Sequence, residues 1–127
     1  MQALVLVGLG GAIGSMARYG MSVLIGRFWS GSFPLATLLV NITGSMAMGL
    51  LIGFLVRTLP ASGPDIRLFV GIGVLGGFTT FSSFSLDTIS MIERGELGQA
   101  ALYVGLSVVV CLAGLYCGLL MTRGGMA

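Results

Sequence analysis

The chain has 127 residues, of which 56% are hydrophobic and only 8% charged, with a formal net charge of +2. Soluble domains carry about 25% charged residues, so this composition excludes a water-facing surface and indicates a protein embedded in lipid. No run of basic residues is present, and nucleic-acid binding therefore has no electrostatic basis. The length is that of one domain, residues 1–127, with no room for a separate soluble one.

Four apolar segments follow one another in the chain, at about residues 3–25, 34–56, 67–92 and 97–121. Each has the roughly 20 residues that a helix needs to cross a bilayer. Pro34 suits the start of the second helix, whereas Pro60, Gly63 and Pro64 indicate a loop before the third. The sequence thus predicts an all-α membrane protein with four transmembrane helices.

The loop arginines carry information about orientation, because positive loops stay on the cytoplasmic side. They are Arg57, Arg67 and Arg123 on the side of the termini, and Arg27 and Arg94 on the other side. Three against two is almost no bias. Either the chain inserts in both orientations, which permits an antiparallel homodimer, or the small counts hide a modest bias. The charges alone do not distinguish these alternatives.

Small residues within the segments predict close helix packing. Gly10 and Gly14 have the GxxxG spacing, and so do Gly49 and Gly53. In lipid, such pairs allow two backbones to approach each other. Four thin helices leave little room for a pathway inside one bundle, which favours association of two copies.

Few polar residues lie within the apolar segments, and each of them costs energy in lipid. Arg18 either extends to the interface or stands at a pore mouth and attracts anions. Asn41 either bonds between helices or contributes to a site. Asp87 pairs with Arg18 or a hydroxyl, approaches the interface, or carries protons. Tyr103 and Ser107 lie four residues apart and therefore on one face of the fourth segment.

The decapeptide GGFTTFSSFS, residues 76–85, interrupts the third segment. Gly76 and Gly77 each weaken a helix by about 1 kcal/mol relative to alanine. Thr79 and Thr80 then offer N-caps for a new helix. We therefore expect a helix that stops, breaks and restarts at mid-membrane, which is tolerated only where the break is buried or lines a cavity. The first half would present carbonyls to a cation, and the second would present amides to an anion.

Aromatic and hydroxyl side chains alternate after the predicted break. Phe78, Phe81 and Phe84 share one helix face, and Thr80 and Ser83 lie on another. Ring edges carry positive charge, so edges, hydroxyls and the asparagine amide of the second segment favour an anion without a fixed charge. Alternatively, the phenylalanines form a packed core and the serines bond back to the backbone. The chemistry by itself indicates a small membrane pore or transporter that handles anions.

Four motifs together resemble the Fluc-type (CrcB-like) fluoride channel family over nearly the whole chain. They are GLGGAIGSMARY, TLLVNITGS, GGFTTFSSFS and the Tyr-x3-Ser of the fourth segment. The resemblance implies a passive fluoride-selective channel, not an enzyme, that exports cytoplasmic fluoride and reduces its toxicity. It also implies a dual-topology antiparallel homodimer with two pores, in a bacterial or archaeal (inner) membrane.

The resemblance also implies roles for particular residues. Its fluoride pore would comprise Arg18, Asn41, Thr80, Phe81, Ser83, Phe84, Tyr103 and Ser107. The ring edges of Phe81 and Phe84 would face fluoride, Asn41 would stand at the pore, and Arg18 would stand in the vestibule. Tyr103 and Ser107 would form a polar track on the last helix. Thr37 and Asp87 are secondary candidates.

A structural sodium ion at the dimer interface is a further implication of the resemblance. In this sequence the backbone carbonyls of Gly76 and Thr79 would hold it. Two residues depart from the family pattern. Cys111 stands where the polar track would carry another hydroxyl, and Asp87 stands where many members carry glutamate.

Two other functions compete with a fluoride channel. A small four-helix exporter driven by protons would need a carboxylate in the membrane, and only Asp87 could serve. A structural subunit that transports nothing would have little use for a broken helix, so the decapeptide argues against it.

Overall fold

The computed structural model describes residues 1–124, which form helices and connecting turns without a strand. In chain order the helices are α1 (Gln2–Phe28), α2 (Leu35–Thr58), α3 (residues 63–78), α4 (Phe81–Glu93) and α5 (Leu97–Arg123). α3 and α4 form one interrupted crossing, so the chain has four crossings long and apolar enough to span a membrane. The predicted all-α fold with a broken third helix is confirmed, and the protein is a multi-pass membrane protein.

The helix starts follow the proline residues. Pro34 is the N-cap of α2, in agreement with the sequence. α3 begins at Gly63, with Pro64 in its first turn, rather than at about residue 67. The prediction that Gly63 and Pro64 lie in a loop is therefore wrong. Proline is well suited to a first helical turn, because the N–H that it lacks has no partner within the helix there.

The middle of α3 is wider than an α-helix. Arg67–Leu75 is π-helical, between the α-helical segments Gly63–Ile66 and Gly76–Phe78. Its bonds span five residues, as in that from the Gly76 amide to the Gly71 carbonyl. π-helical segments are rare and often lie near functional sites. Here the segment ends at Leu75, and the short α-helical segment Gly76–Phe78 separates it from the break in the third crossing.

Two pairs of helices make the most extensive contacts, α1 with α3 and α2 with α5. The predicted glycine pairs lie in these two interfaces. Gly10 and Gly14 of α1 are buried, and a Cβ on Gly14 would overlap the carbonyl oxygen of Val74. Gly49 and Gly53 of α2 are buried against backbone atoms of α5. The prediction of close packing at both GxxxG pairs is confirmed, because no larger side chain fits there.

The outer surface of the chain is apolar, as expected in lipid. Large side chains such as Leu9 and Leu112 are more than half exposed. Few hydrophobic residues are buried, and four of them form one packed cluster: Leu38, Met91, Ala100 and Tyr103. It lies where α2, α4 and α5 meet, next to the residues that follow the break.

Candidate ion pathway at the helix break

The third crossing breaks at two threonines. Thr79 and Thr80 have extended backbones, and helical structure resumes at Phe81. The break is thus confirmed, but the prediction that Gly76 and Gly77 end the helix is wrong, since both remain helical. A Cβ on Gly77 would lie 2.7 Å from the carbonyl oxygen of Gly11 in α1. Gly77 therefore permits close packing of α3 against α1 and does not end the helix.

Thr80 is the N-cap of α4, as the sequence predicts. Its Oγ1 accepts a hydrogen bond from the Ser83 amide at 3.1 Å. The Thr79 hydroxyl donates back to the Leu75 carbonyl at 3.1 Å, so Thr79 closes α3 while Thr80 opens α4. A cap of this kind contributes about 1 kcal/mol. The two adjacent threonines therefore define both ends of the break.

Asn41 of α2 forms hydrogen bonds with the backbone at the break. The Thr80 amide donates to Asn41 Oδ1 at 2.8 Å, and Asn41 Nδ2 donates to the Thr80 carbonyl at 3.1 Å. One side chain thus satisfies both backbone groups of a residue that has left the helix. In lipid those groups would otherwise be costly. The interhelical bond expected of Asn41 is therefore present, and it serves the break itself.

Two cavities adjoin the break. The larger is an open groove of about 380 Å³, lined by Asn41, Ser45, Thr79, Thr80, Phe81, Phe84, Ser107, Val108, Cys111 and Leu112. The smaller has a volume of about 30 Å³ and is lined by Arg18, Ser22, Thr37, Val40, Thr80 and Ser83. Space of that size holds about one water molecule. Thr80 lines both cavities.

All of the predicted pore residues except Tyr103 line at least one of these cavities. Five of them lie on the groove: Asn41, Thr80, Phe81, Phe84 and Ser107. Arg18, Thr37 and Ser83 lie on the smaller cavity. Two hydroxyls were missed, Ser45 on the groove and Ser22 on the smaller cavity. Each follows a recognised residue by four positions, Asn41 and Arg18 respectively, and helical spacing could have revealed both.

No charged side chain lines the groove. Arg18 lies instead between the smaller cavity and the end of α3, where its Nε donates to the Gly77 carbonyl at 3.2 Å. A cation suits this position, because the carbonyl end of a helix carries partial negative charge. Asp87 accepts a hydrogen bond from the Tyr103 hydroxyl at 3.1 Å. Within residues 1–124 the only ion pair is that of Arg94 with Glu96, so the proposed Arg18–Asp87 pair is absent there.

Aromatic rings connect the groove to the core. The Phe81 and Phe84 centroids lie 5.4 Å apart with planes tilted by 47°, and Phe84 lies 5.1 Å from Tyr103. Phe33 meets Tyr103 edge-on at 5.6 Å. Phe81 is 77% exposed, whereas Tyr103 is fully buried. Tyr103 does not line either cavity, and it supports Phe84 from behind.

Ser107 lines the groove, and its hydroxyl is buried without a hydrogen-bond partner among the described residues. The residue is only 8% exposed. A buried polar group without a partner costs about 1–3 kcal/mol. An ion that accepted a hydrogen bond from this hydroxyl would offset that cost. The groove is therefore lined by neutral polar side chains and aromatic rings, a chemistry that suits a small anion.

Among the carbonyls at the break, those of Gly76 and Thr79 lack their usual helical donors. In a continuous helix the Thr80 amide would bond to the Gly76 carbonyl, and the Ser83 amide to the Thr79 carbonyl. Here these amides donate to Asn41 Oδ1 and Thr80 Oγ1 instead. Oxygen atoms of this kind can bind a hard cation. The part of the chain that the structure describes contains no cluster of three or more His, Cys, Asp or Glu side chains that could hold a metal.

The sequence matches known proteins along nearly its whole length. A family model described as "CrcB-like protein, Camphor Resistance (CrcB)" matches residues 5–119. A protein of Rhodospirillum centenum named "Fluoride-specific ion channel FluC" is 44% identical over the full length of both chains. Proteins of the same name from Agrobacterium fabrum and Paracoccus denitrificans are each 52% identical over 93% of this chain, covering 94% and 92% of their own lengths.

Proposed function

The chain belongs to the CrcB-like family, and from that premise we propose that it is a passive channel selective for fluoride. Export of cytoplasmic fluoride through it would reduce fluoride toxicity. Relatives 44–52% identical to it carry the name of fluoride-specific ion channels, which are transport proteins and not enzymes. The observation that carries the proposal is the groove beside the break, which offers hydrogen-bond donors but no charged side chain.

The proposed path follows the groove. An anion that has lost part of its water shell would meet the ring edges of Phe81 and Phe84 and the hydroxyl of Ser107. The break adds the N-terminal end of α4, where the helix carries partial positive charge. Each of these interactions is weak by itself. Conduction requires this, because a deeply buried fixed charge would bind the ion too tightly to release it.

We further propose that two copies associate as an antiparallel homodimer with two pores. Phe81, which follows the break, is 77% exposed in one copy, and the groove beside it is open on one side. A second copy would cover this opening. The nearly balanced loop arginines support insertion in both orientations. Two equivalent grooves related by a two-fold axis would then give two paths.

A structural sodium ion fits the same arrangement. The Gly76 and Thr79 carbonyls, whose usual helical donors are engaged by side chains, are the residues that would hold it. When bound, the cation would supply positive charge that offsets the partial negative charge of these carbonyl oxygens. The dimer should then unfold at a higher temperature in sodium chloride than in N-methylglucamine chloride. Equal midpoints would contradict the sodium proposal.

Ion efflux from liposomes tests the main proposal. Vesicles that contain the purified protein should lose fluoride rapidly and chloride hardly at all, as followed with ion-selective electrodes. Comparable chloride loss would contradict selectivity, and the absence of any flux would favour a structural subunit. Uphill fluoride movement driven by a pH gradient and abolished in Asp87→Asn would favour a proton-coupled exporter.

We further propose that the protein lies in the inner membrane of a bacterial cell, since the relatives named above come from bacteria.

A further inference from the structure

Cys111 lies on the wall of the groove. It follows Ser107 by four residues on α5, so the two side chains share a helix face. Both line the groove, together with Ser45 and Asn41 of α2. Cys117, the other cysteine, lies on the same helix, is exposed, and does not line this groove. Neither cysteine forms a disulfide in the described part of the chain, so both thiols are free.

A second observation indicates that this part of the groove receives a polar guest. The Ser107 hydroxyl is more than nine-tenths buried and has no partner within residues 1–124. Buried polar groups in proteins are rarely left without a partner, so an unpaired one facing a cavity points to a molecule or ion that fills it. Cys111 stands one helical turn further along the same wall. A small molecule that enters this segment therefore meets the thiol.

We propose that Cys111 is a thiol modification site inside the ion path, at which a small neutral thiol-specific reagent blocks conduction. This inference rests on the proposed function for its effect on flux, whereas the position of Cys111 on the groove wall does not depend on it. A group attached to Cys111 Sγ would occupy the groove beside Ser107. It would also replace the S–H donor of Cys111 by an apolar surface, which cannot compensate an anion for lost water.

Methyl methanethiosulfonate is a suitable probe because it is small and carries no charge. The Cys111 thiol loses its proton to water, and its sulfur attacks the methylthio sulfur of the reagent. A disulfide bond forms to the S-methyl group, the bond between the two sulfurs of the reagent breaks, and methanesulfinate leaves with the electron pair. Dithiothreitol reverses the reaction, which separates a block from irreversible unfolding.

The experiment uses two matched variants that each retain one thiol. Cys117→Ser retains Cys111, and Cys111→Ser retains Cys117. Each is reconstituted in liposomes, treated with the reagent, and compared with its own untreated sample. We expect efflux from Cys117→Ser to fall at least tenfold on treatment and to return with dithiothreitol. Treated and untreated Cys111→Ser should release fluoride at the same rate, although Cys117 gains the methylthio mass.

Intact-mass spectrometry of the protein from the same liposomes shows whether the retained cysteine of each variant has reacted. Full labelling of Cys111 without a fall in efflux would overturn the proposed block, and failure to label Cys111 while Cys117 reacts would overturn the accessible site. If untreated protein releases no fluoride, the proposed function fails instead. The labelled mass of Cys117→Ser then decides by itself whether the thiol is accessible.

Discussion

Asn41 provides the sharpest test, because its amide has two measurable functions in the structure. In Asn41→Asp the carboxylate can still accept from the Thr80 amide, but the donor to the Thr80 carbonyl is lost. One unpaired carbonyl costs about 1–3 kcal/mol. The larger effect concerns the ion. A negative charge about 4 Å from a passing anion opposes it by about 4 kcal/mol at an effective dielectric constant near 20 and by about 1 kcal/mol in bulk water.

These energies correspond to about a thousandfold and about a fivefold slower passage, since each 1.36 kcal/mol is a factor of ten. We expect the groove to lie between the two limits, with fluoride efflux from Asn41→Asp reduced at least tenfold. The assay is electrode-monitored efflux from liposomes, normalised to the amount of folded protein measured by gel filtration.

Asn41→Leu is the matched control, because it adds no charge but removes both bonds to Thr80. It should destabilise the fold more than Asn41→Asp does, at about 1–3 kcal/mol for each of two unpaired groups. Relative to the amount of folded protein, Asn41→Leu should slow efflux less. Wild-type efflux from Asn41→Asp would remove Asn41 from the path. Equal slowing by both variants would refute the electrostatic explanation.

Three further variants separate ion passage from folding. Phe81→Ile should reduce fluoride efflux at least tenfold while gel filtration still shows the folded protein, and a normal rate would place the ring outside the path. Tyr103→Phe removes the donor to Asp87 and should lower stability by about 1 kcal/mol, measured as an earlier unfolding midpoint, with little change in efflux per folded protein. Gly14→Val would overlap a carbonyl of α3 and should abolish the folded species on gel filtration, whereas Gly20→Ala, which has open space, should be tolerated.

The four crossings could be predicted from the sequence because each depends only on length and hydropathy. Close packing at the glycine pairs could also be predicted, since GxxxG spacing determines which helix face can approach a neighbour. The π-helical segment Arg67–Leu75 could not be predicted. The choice between bonds that span four and five residues depends on how α3 packs against α1, and no local residue type determines it. The early start of α3 was missed because Gly63 and Pro64 favour both loops and first helical turns.

The position of the break illustrates how propensity and packing compete. Gly76 and Gly77 are the poorest helix formers in the decapeptide, which is why the sequence points to them. Yet each costs only about 1 kcal/mol, and close packing of Gly77 against α1 offsets that cost. The helix ends instead where side chains supply better partners for the backbone. The Thr79 hydroxyl donates to the Leu75 carbonyl, and the Asn41 side chain of α2 pairs with the amide and carbonyl of Thr80.

The candidate site was predictable residue by residue but not as an arrangement. Polar groups in an apolar helix are conspicuous, so Asn41, Ser107 and Arg18 could all be recognised. Sequence spacing does not show which helices face one another, however, and so it could not reveal that Arg18 lies on a different cavity from Ser107. That separation has a physical consequence. The arginine neutralises the carbonyl end of α3, and the groove remains free of fixed charge.

Thr80 explains how a broken helix can adjoin an uncharged path. A break exposes backbone groups, and a charged side chain would be one way to satisfy them. Here the Thr80 amide and carbonyl are both paired with one neutral amide, that of Asn41, and the Thr80 hydroxyl caps α4. The break is therefore stabilised without placing a charge beside the groove. An anion that enters the groove meets only weak hydrogen-bond donors. Because no fixed charge holds it there, the ion can also leave.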